Sequence, residues 1–292
     1  MPRLFEGRRP HSPGRVGAGA GGRRNLGAAG RVYAPMSLAS PAHPSYLAVV
    51  PAYNEAATVK RVVRDIREHA PDFDVVVVDD GSTDASGPAA EGAGARVLRH
   101  PFNLGIGGAV QSGFVFAFDN DYDYMVQVDG DGQHDPTQLA ELVHAMHAEA
   151  GLDMVCGSRF LRKDMKYPSP LSRRTGIHIF AFLLSRIIGQ RVTDPTSGFR
   201  LYNRRAIALF ARDYPHDYPE VEAVLMLHFN RLRMREVPVR MFARGGGVSS
   251  ISSGKSAYYM IKVLLAIFVG LARARPVVEP GDDAPVAAAH GI

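Results

Sequence analysis

A single cysteine, Cys156, among 292 residues leaves no partner for an internal disulfide and no set of thiolates for a zinc site within one chain. Its setting, Met154-Val155-Cys156-Gly157, reads as a packed thiol at the end of a buried strand. No apolar run reaches the roughly 20 residues that span a bilayer. None of signal-peptide type precedes Tyr46, so a secretory leader is not expected. Acidic residues are nearly absent from the start of the chain: residues 1–45 carry seven Arg against Glu6, a local +6 that leaves −1 for the rest of a chain whose total is +5. The basic balance therefore belongs to a segment rich in Gly, Ala, Pro, Arg and Ser that has no apolar periodicity and cannot repay the entropy of ordering. Residues 1–45 read as a disordered basic extension, either a transit-type presequence or a stretch upstream of a start at Met36. Nucleic acid is not expected as a partner of the body that follows.

That body, with 46% hydrophobic and 22% charged residues over the whole chain, suits one main globular domain. It alternates between two periodicities. Tyr46-Leu47-Ala48-Val49-Val50-Pro51 is an apolar run of strand length stopped by proline. Val59, Val62, Val63 and Ile66 stand at i, i+3, i+4 and i+7 of a predicted helix over Thr58–Ala70, ended by Pro71. Phe73–Val78 is a β-branched run without alternation, as in a parallel strand covered on both faces. Strands predicted over Ala95–Arg99, Tyr124–Val128 and Asp153–Cys156 alternate with helices over Gly107–Phe118 and Pro136–Ala148. The second of these helices opens with Asp135 as N-cap and Pro136 at its first position. The pattern is that of an α/β sheet, whose ligands gather at the carboxyl ends of the strands. Three polar clusters stand there: Tyr53-Asn54-Glu55, Asp79-Asp80-Gly81-Ser82 and Asp129-Gly130-Asp131.

Carboxylates two apart on an extended chain point the same way, so Asp129 and Asp131 can grip one hard cation such as Mg²⁺ together with substrate phosphates. Gln133 offers a further oxygen, and His134 either reaches the site or faces solvent from its loop. Asp79 and Asp80 can accept hydrogen bonds from a base N–H or from ribose hydroxyls, with Ser82 or Asp84 capping the next helix. Asn103-Leu104-Gly105-Ile106-Gly107-Gly108-Ala109-Val110 fails as a dinucleotide fingerprint, because Val110 stands where the third glycine belongs. Close backbone packing at a helix N-terminus explains it better. Arg159, Arg173, Arg174 and Arg200 are candidates for an acceptor phosphate, which arginine pairs with in bidentate fashion.

Beyond Gly157 two stretches, Ile177–Ile188 and Ala257–Ala272, are strongly apolar and bordered by Arg or Lys. Between Arg231 and Pro276 nine Lys or Arg face one acidic residue, Glu236. Such helices suit the surface of an anionic membrane, the alternative being that they are core helices.

The succession Val50-Pro51-Ala52-Tyr53-Asn54-Glu55, Val78-Asp79-Asp80-Gly81-Ser82-Thr83-Asp84, Asn103-Leu104-Gly105, Gln127-Val128-Asp129-Gly130-Asp131-Gly132-Gln133-His134 and Gly157-Ser158-Arg159-Phe160 resembles glycosyltransferase family 2. The branch it resembles is that of dolichol-phosphate mannose synthase and the bacterial polyprenyl-phosphate glycosyltransferases, over about residues 46–275. The resemblance implies a GT-A, Rossmann-like α/β domain with a mostly parallel sheet over 46–245, divided into a nucleotide and metal half (46–160) and an acceptor half (161–245). It also implies an interfacial segment over 246–276 and a disordered tail over 277–292. It places the nucleotide-sugar on Pro51, Tyr53, Glu55, Asp80 and Asp129, and Mg²⁺ or Mn²⁺ on Asp129, Asp131 and Gln133. It brings the phosphate of a polyprenyl phosphate to Arg159 and the Arg173-Arg174 pair, with Asp194–Arg200 shaping the sugar and acceptor pocket. Asp131 and Arg159 are the residues expected to act in the reaction, an inverting transfer in which Asp131 is electrostatic rather than a base. A chain of this kind is expected peripherally on the cytoplasmic face of the membrane, by itself or docked on a small membrane subunit. Rival expectations are a protein or polysaccharide acceptor, a sugar-phosphate nucleotidyltransferase, or a non-enzymatic binder of anionic surfaces. The nucleotidyltransferase would carry a Gly-rich phosphate loop where Pro51–Glu55 stands.

Overall fold

Four consecutive valines make the middle of the second strand, and no alternation is needed because both faces of that strand are covered. The computed structural model describes residues 44–162, 171–216 and 218–242, together with Lys262 and Leu265. The expected extension before residue 44, the interfacial segment over 246–276 and the tail over 277–292 therefore lie outside the described residues, apart from those two.

The described strands are β1 (Tyr46–Ala52), β2 (Phe73–Asp79), β3 (Arg96–Arg99), β4 (Tyr124–Gln127), β5 (Met154–Ser158), β6 (Arg200–Asn203) and β7 (Met234–Pro238). They form one sheet in the order β3-β2-β1-β4-β6-β5-β7, parallel throughout except for β6. Register along β1 runs from Tyr46 opposite Phe73 to Ala52 opposite Asp79, which brings Asp79 and the end of β1 to one level. The helices are α1 (Val59–His69), α2 (Ser86–Glu91), α3 (Gly105–Asp119), α4 (Leu139–Ala148), α5 (Leu171–Ile188), α6 (Arg204–Arg212) and α7 (Pro219–Phe229).

The expected helix α1 buries Val59, Val62, Val63 and Ile66, each contributing about 1.5–3 kcal/mol of transfer free energy. Asp135 caps the 3-10 turn Pro136–Gln138 that leads into α4, accepting from the Thr137 N–H at 3.1 Å with Pro136 at the first position. Asp84 serves the start of α2 by accepting from the N–H of Ser86 at 2.9 Å. In α3, Gly107 lies where a Cβ would sit 2.6 Å from the backbone of His216, the close approach expected of that glycine run. Helix α5 begins at Leu171, earlier than its apolar core indicates. It buries Ile177, Phe180, Ala181 and Leu184 and exposes Ile179 and Phe182, so one face belongs to the core and the other does not. Among the described residues no helix is long and apolar enough to cross a membrane.

Strands β3 and β2 lie to one side of β1, and β4 to the other. The order therefore reverses between β1 and β4, and the crevice of an open sheet falls at the carboxyl ends of the strands flanking such a point.

Candidate active site

A cavity of about 790 Å³ stands at that point. The ends of β1, β2 and β4 bring Pro51, Tyr53, Glu55, Asp80, Asp129 and Asp131 to its wall. Gly105, Ile106 and Ala109 of α3 and Glu220 of α7 also line it. Six of the expected nucleotide and metal residues thus share one chamber.

The first wall is a pair of loops tied to each other. Asn54, at a left-handed φ of 56°, donates its N–H to Ser82 Oγ (3.0 Å), and its side-chain oxygen accepts from the Thr83 N–H (2.9 Å). The Glu55 N–H donates to Ser86 Oγ at 2.7 Å, and a Glu55 carboxylate oxygen accepts from Thr58 Oγ1 at 3.0 Å. Asp79 accepts from the Ser82 N–H at 3.0 Å, which fixes the turn.

The second wall is the Asp129-Gly130-Asp131 turn. Asp129 Oδ1 accepts from Gln127 Nε2 at 3.0 Å, and the Asp129 N–H donates to His134 Nδ1 at 3.0 Å. His134 Nδ1 is therefore the accepting nitrogen and Nε2 carries the proton, 3.5 Å from Asp129 Oδ2. His134 is buried and stacked on Phe199, with ring centroids 4.9 Å apart, rather than facing solvent. Gly198 packs against the same pair: a Cβ there would lie 2.7 Å from Gln127 Nε2 and 3.3 Å from Asp129 Oδ1. Gln133 does not line the cavity. Its N–H donates to Asp131 Oδ1 at 3.0 Å and its carbonyl accepts from the Phe242 N–H at 2.8 Å, which locks the turn from behind.

Two carboxylates on one turn fit Mg²⁺ or Mn²⁺, which take one or two protein carboxylates and complete their octahedron with phosphate oxygens and water. Among the described residues no three His, Cys, Asp or Glu side chains gather as a metal cluster. Because His134 and Gln127 orient Asp129, replacing His134 by leucine is expected to weaken Mn²⁺ affinity about ten- to a hundredfold. Titrating Mn²⁺ into the variant, with activity as the readout, checks this.

Arg159, Arg174 and Arg200 do not line the cavity. Arg159 is buried, its Nε and Nη2 donating to the two oxygens of Asp194 at 2.6 and 2.7 Å. Arg200 is also buried, with Nη2 on the Pro195 carbonyl at 3.0 Å and with Nε and Nη1 unpaired. Both guanidinium charges nevertheless act on Glu220 at the cavity wall. Arg174 is exposed at the start of α5, while the side chain of Arg173 lies outside those described. Cys156 is the packed thiol expected, pushed by burial up to about 12.

One lining residue is absent from the sequence-based expectations. Glu220, in the first turn of α7, is half-buried against the cavity, and burial raises its pKa while the Arg200 charge works against that rise. Tyr218-Pro219-Glu220 carries only a helix-start signal, proline followed by an acid in the first turn.

Residues 47–210 match the family model described as glycosyl transferase family 2. The chain belongs to that family. It is a glycosyltransferase of the polyprenyl-phosphate branch, and its relatives include the undecaprenyl-phosphate mannosyltransferase of Micrococcus luteus, 34% identical over 71% of this chain and 88% of that one. Another is the polyprenol monophosphomannose synthase of Mycolicibacterium smegmatis, 30% identical over 74% and 84%. The fold is similar to that of glucosyl-3-phosphoglycerate synthase from Mycobacterium tuberculosis, with a TM-score of 0.60 at 20% identity over 82% of each chain. That protein was solved with Mn²⁺, uridine diphosphate and glucosyl-3-phosphoglycerate. The GT-A sheet expected of the family is the sheet described above.

Proposed function

We propose that this glycosyltransferase moves a sugar from a nucleotide-sugar to a polyprenyl phosphate with inversion at the anomeric carbon, assisted by Mg²⁺ or Mn²⁺. The observation that carries this is the single cavity in which Asp80, Asp129, Asp131 and Glu220 stand together at the reversal of strand order. The relatives of known name, which act on undecaprenyl and polyprenol phosphates, support the acceptor.

Asp80 after β2, the Asp129 turn after β4 and Glu220 on α7 all line the cavity. The base and ribose occupy the Asp80 and Tyr53 end, the diphosphate lies at Asp129 and Asp131, and the sugar lies toward Glu220. Bound at the two aspartates, the cation neutralises the charge that builds on the leaving nucleoside diphosphate. The acceptor phosphate is already anionic, so its oxygen attacks the anomeric carbon without a general base, and the bond to the diphosphate oxygen breaks on the opposite side. Glu220 accepts a sugar hydroxyl and orients the ring for that attack. Arg174 and the exposed Ile179 and Phe182 on α5, with Arg186 stacked over Phe182 at 5.2 Å, suit a peripheral approach to the cytoplasmic face of a membrane. A small membrane subunit is a further partner of this reading.

The test is label transfer from a panel of UDP- and GDP-sugars into an organic phase containing polyprenyl phosphate, with Mn²⁺ or Mg²⁺. Label from one donor that vanishes with a chelator is the expected result. No label from any donor, even with added membranes, sinks the lipid acceptor.

Glu220→Gln is expected to slow transfer roughly ten- to a hundredfold by weakening a charged hydrogen bond, yet to raise the melting temperature at neutral pH. The sign follows from burial. A raised pKa means that the folded state holds the proton more tightly than the unfolded chain, so stability is full below the ordinary value of 4.5 and is lost as pH rises through the folded value. Thermal scans should find the two proteins alike in acid and the glutamine variant ahead at neutral pH.

A further inference from the structure

Asp80 already accepts three hydrogen bonds at the cavity wall. Its Oδ1 accepts from the Leu104 N–H (2.8 Å) and from His100 Nδ1 (2.7 Å), and its Oδ2 accepts from the Gly105 N–H (2.9 Å). A carboxylate offers about four lone-pair sites. Three are taken, both of those on Oδ1 and one on Oδ2, so a single acceptor position on Oδ2 is left for a ligand.

His100 decides that count. It sits at the end of β3, its backbone N–H held by the Asp79 carbonyl at 2.9 Å, with its side chain only 11% exposed. A carboxylate can only accept, so Nδ1 carries the proton. Nε2 meets Ser112 Oγ at 2.9 Å, and Ser112 in turn lies 3.1 Å from the Gly108 carbonyl inside α3. The chain Asp80–His100–Ser112 thus fixes ring orientation from both nitrogens, and it ties the end of β2 to the first and third turns of α3.

The pairing edges of nucleobases differ in what they ask of a carboxylate. Uracil presents one N–H, at N3. Guanine presents two parallel donors, N1–H and the N2 amino group, which call for two acceptors. A carboxylate with one open position pairs the first fully and leaves a donor of the second without a charged acceptor, which costs binding.

We propose that His100 is a specificity-determining positioning residue: by filling Oδ1 of Asp80 it leaves one acceptor and selects a uridine over a guanosine diphosphate donor. The inference rests on the donor reading given above, in which the base lies at Asp80.

The test is calorimetric titration of the full chain with UDP and with GDP, each with Mn²⁺. The wild type is expected to bind UDP at least about tenfold more tightly than GDP, the worth of one charge-assisted hydrogen bond. His100→Leu frees a lone pair on Oδ1, and the ratio is expected to fall to about threefold or less. His100→Asn keeps an N–H close to the place of Nδ1 and is expected to hold the wild-type ratio, a rescue that a purely structural role for the ring does not predict. His100→Ser reads the same loss as leucine should the leucine variant fail to fold. GDP bound as tightly as UDP by the wild type, or an unchanged ratio in both the leucine and serine variants, overturns the proposal. Failure of the wild type to bind either nucleotide overturns the donor reading itself, which separates the two.

Discussion

Alanine at Asp129 or at Asp131 is expected to lower sugar transfer by on the order of a thousandfold, the loss of about 4 kcal/mol of charge stabilisation at the leaving diphosphate. The fold should survive, because the bonds described for both carboxylates lie in or beside the turn after β4. Asp129 is held by Gln127 and His134 from outside the cavity, and Asp131 is bonded to the N–H of Gln133 within its own turn. Water can replace either carboxylate as partner of those groups at a solvent-connected wall. Chelation of the wild type should reproduce the loss, and restored Mn²⁺ or Mg²⁺ should reverse it in the wild type and not in the variants. Thermal denaturation beside the transfer assay checks both halves. Substantial activity in either alanine variant with excess cation present would remove the metal from these two residues.

The contrast between these aspartates and the arginines explains what the sequence made legible. Asp80, Asp129 and Asp131 follow apolar strands, and in a parallel sheet that position sends a polar side chain to the ligand-binding edge, whereas Asp79, the last residue of β2, gives its carboxylate to the Ser82 N–H and does not line the cavity. The strands themselves were readable because burial on both faces produces unbroken runs such as Val75–Val78. Past Gly157 that logic weakens. β6 is four residues long and begins with the buried Arg200, so it carries no apolar run, and β7 mixes buried Met234 and Val237 with exposed Arg235. Helix α6 is amphipathic, with Asn203 as its N-cap accepting from the Ala206 N–H, yet it lies between elements that gave no signal. Helix α7 is apolar through Ala223–Leu227 and so has no face that periodicity can assign, which is why Glu220 at its start reads as a helix-start acid and not as a cavity residue. The direction in which Arg159 and Arg200 point depends on partners distant along the chain, and residue type alone says only that a guanidinium will find an anion or a carbonyl.

Asp194→Ala is expected to cost about 3–5 kcal/mol of folding stability, because it leaves the Arg159 guanidinium charged and buried without its counter-ion. The pair is among the most enclosed in the molecule, with Arg159 4% and Asp194 0% exposed. Asp194 also accepts from the Arg159 backbone N–H at 3.1 Å, and Arg159 Nη2 reaches Thr196 Oγ1 at 2.8 Å, so this carboxylate is a main tie between the loop before β6 and the end of β5. Behind it the carboxylate of Glu236 accepts from the Asp194 and Thr193 N–H groups at 2.9 and 2.8 Å, and burial raises its pKa despite those bonds. A chain of this size should lose roughly 10 °C or more of melting temperature. The double variant Arg159→Met with Asp194→Leu is expected to be more stable than Asp194→Ala alone, since an apolar pair of similar volume carries no unpaired charge. A guanidinium free to leave Asp194 and seize the acceptor phosphate predicts the opposite: Asp194→Ala would melt close to the wild type, and Arg159→Met would lose transfer activity without losing stability. Denaturation curves for the three proteins, read beside their transfer activity, therefore decide whether Arg159 works on the substrate or on the loop that shapes its pocket.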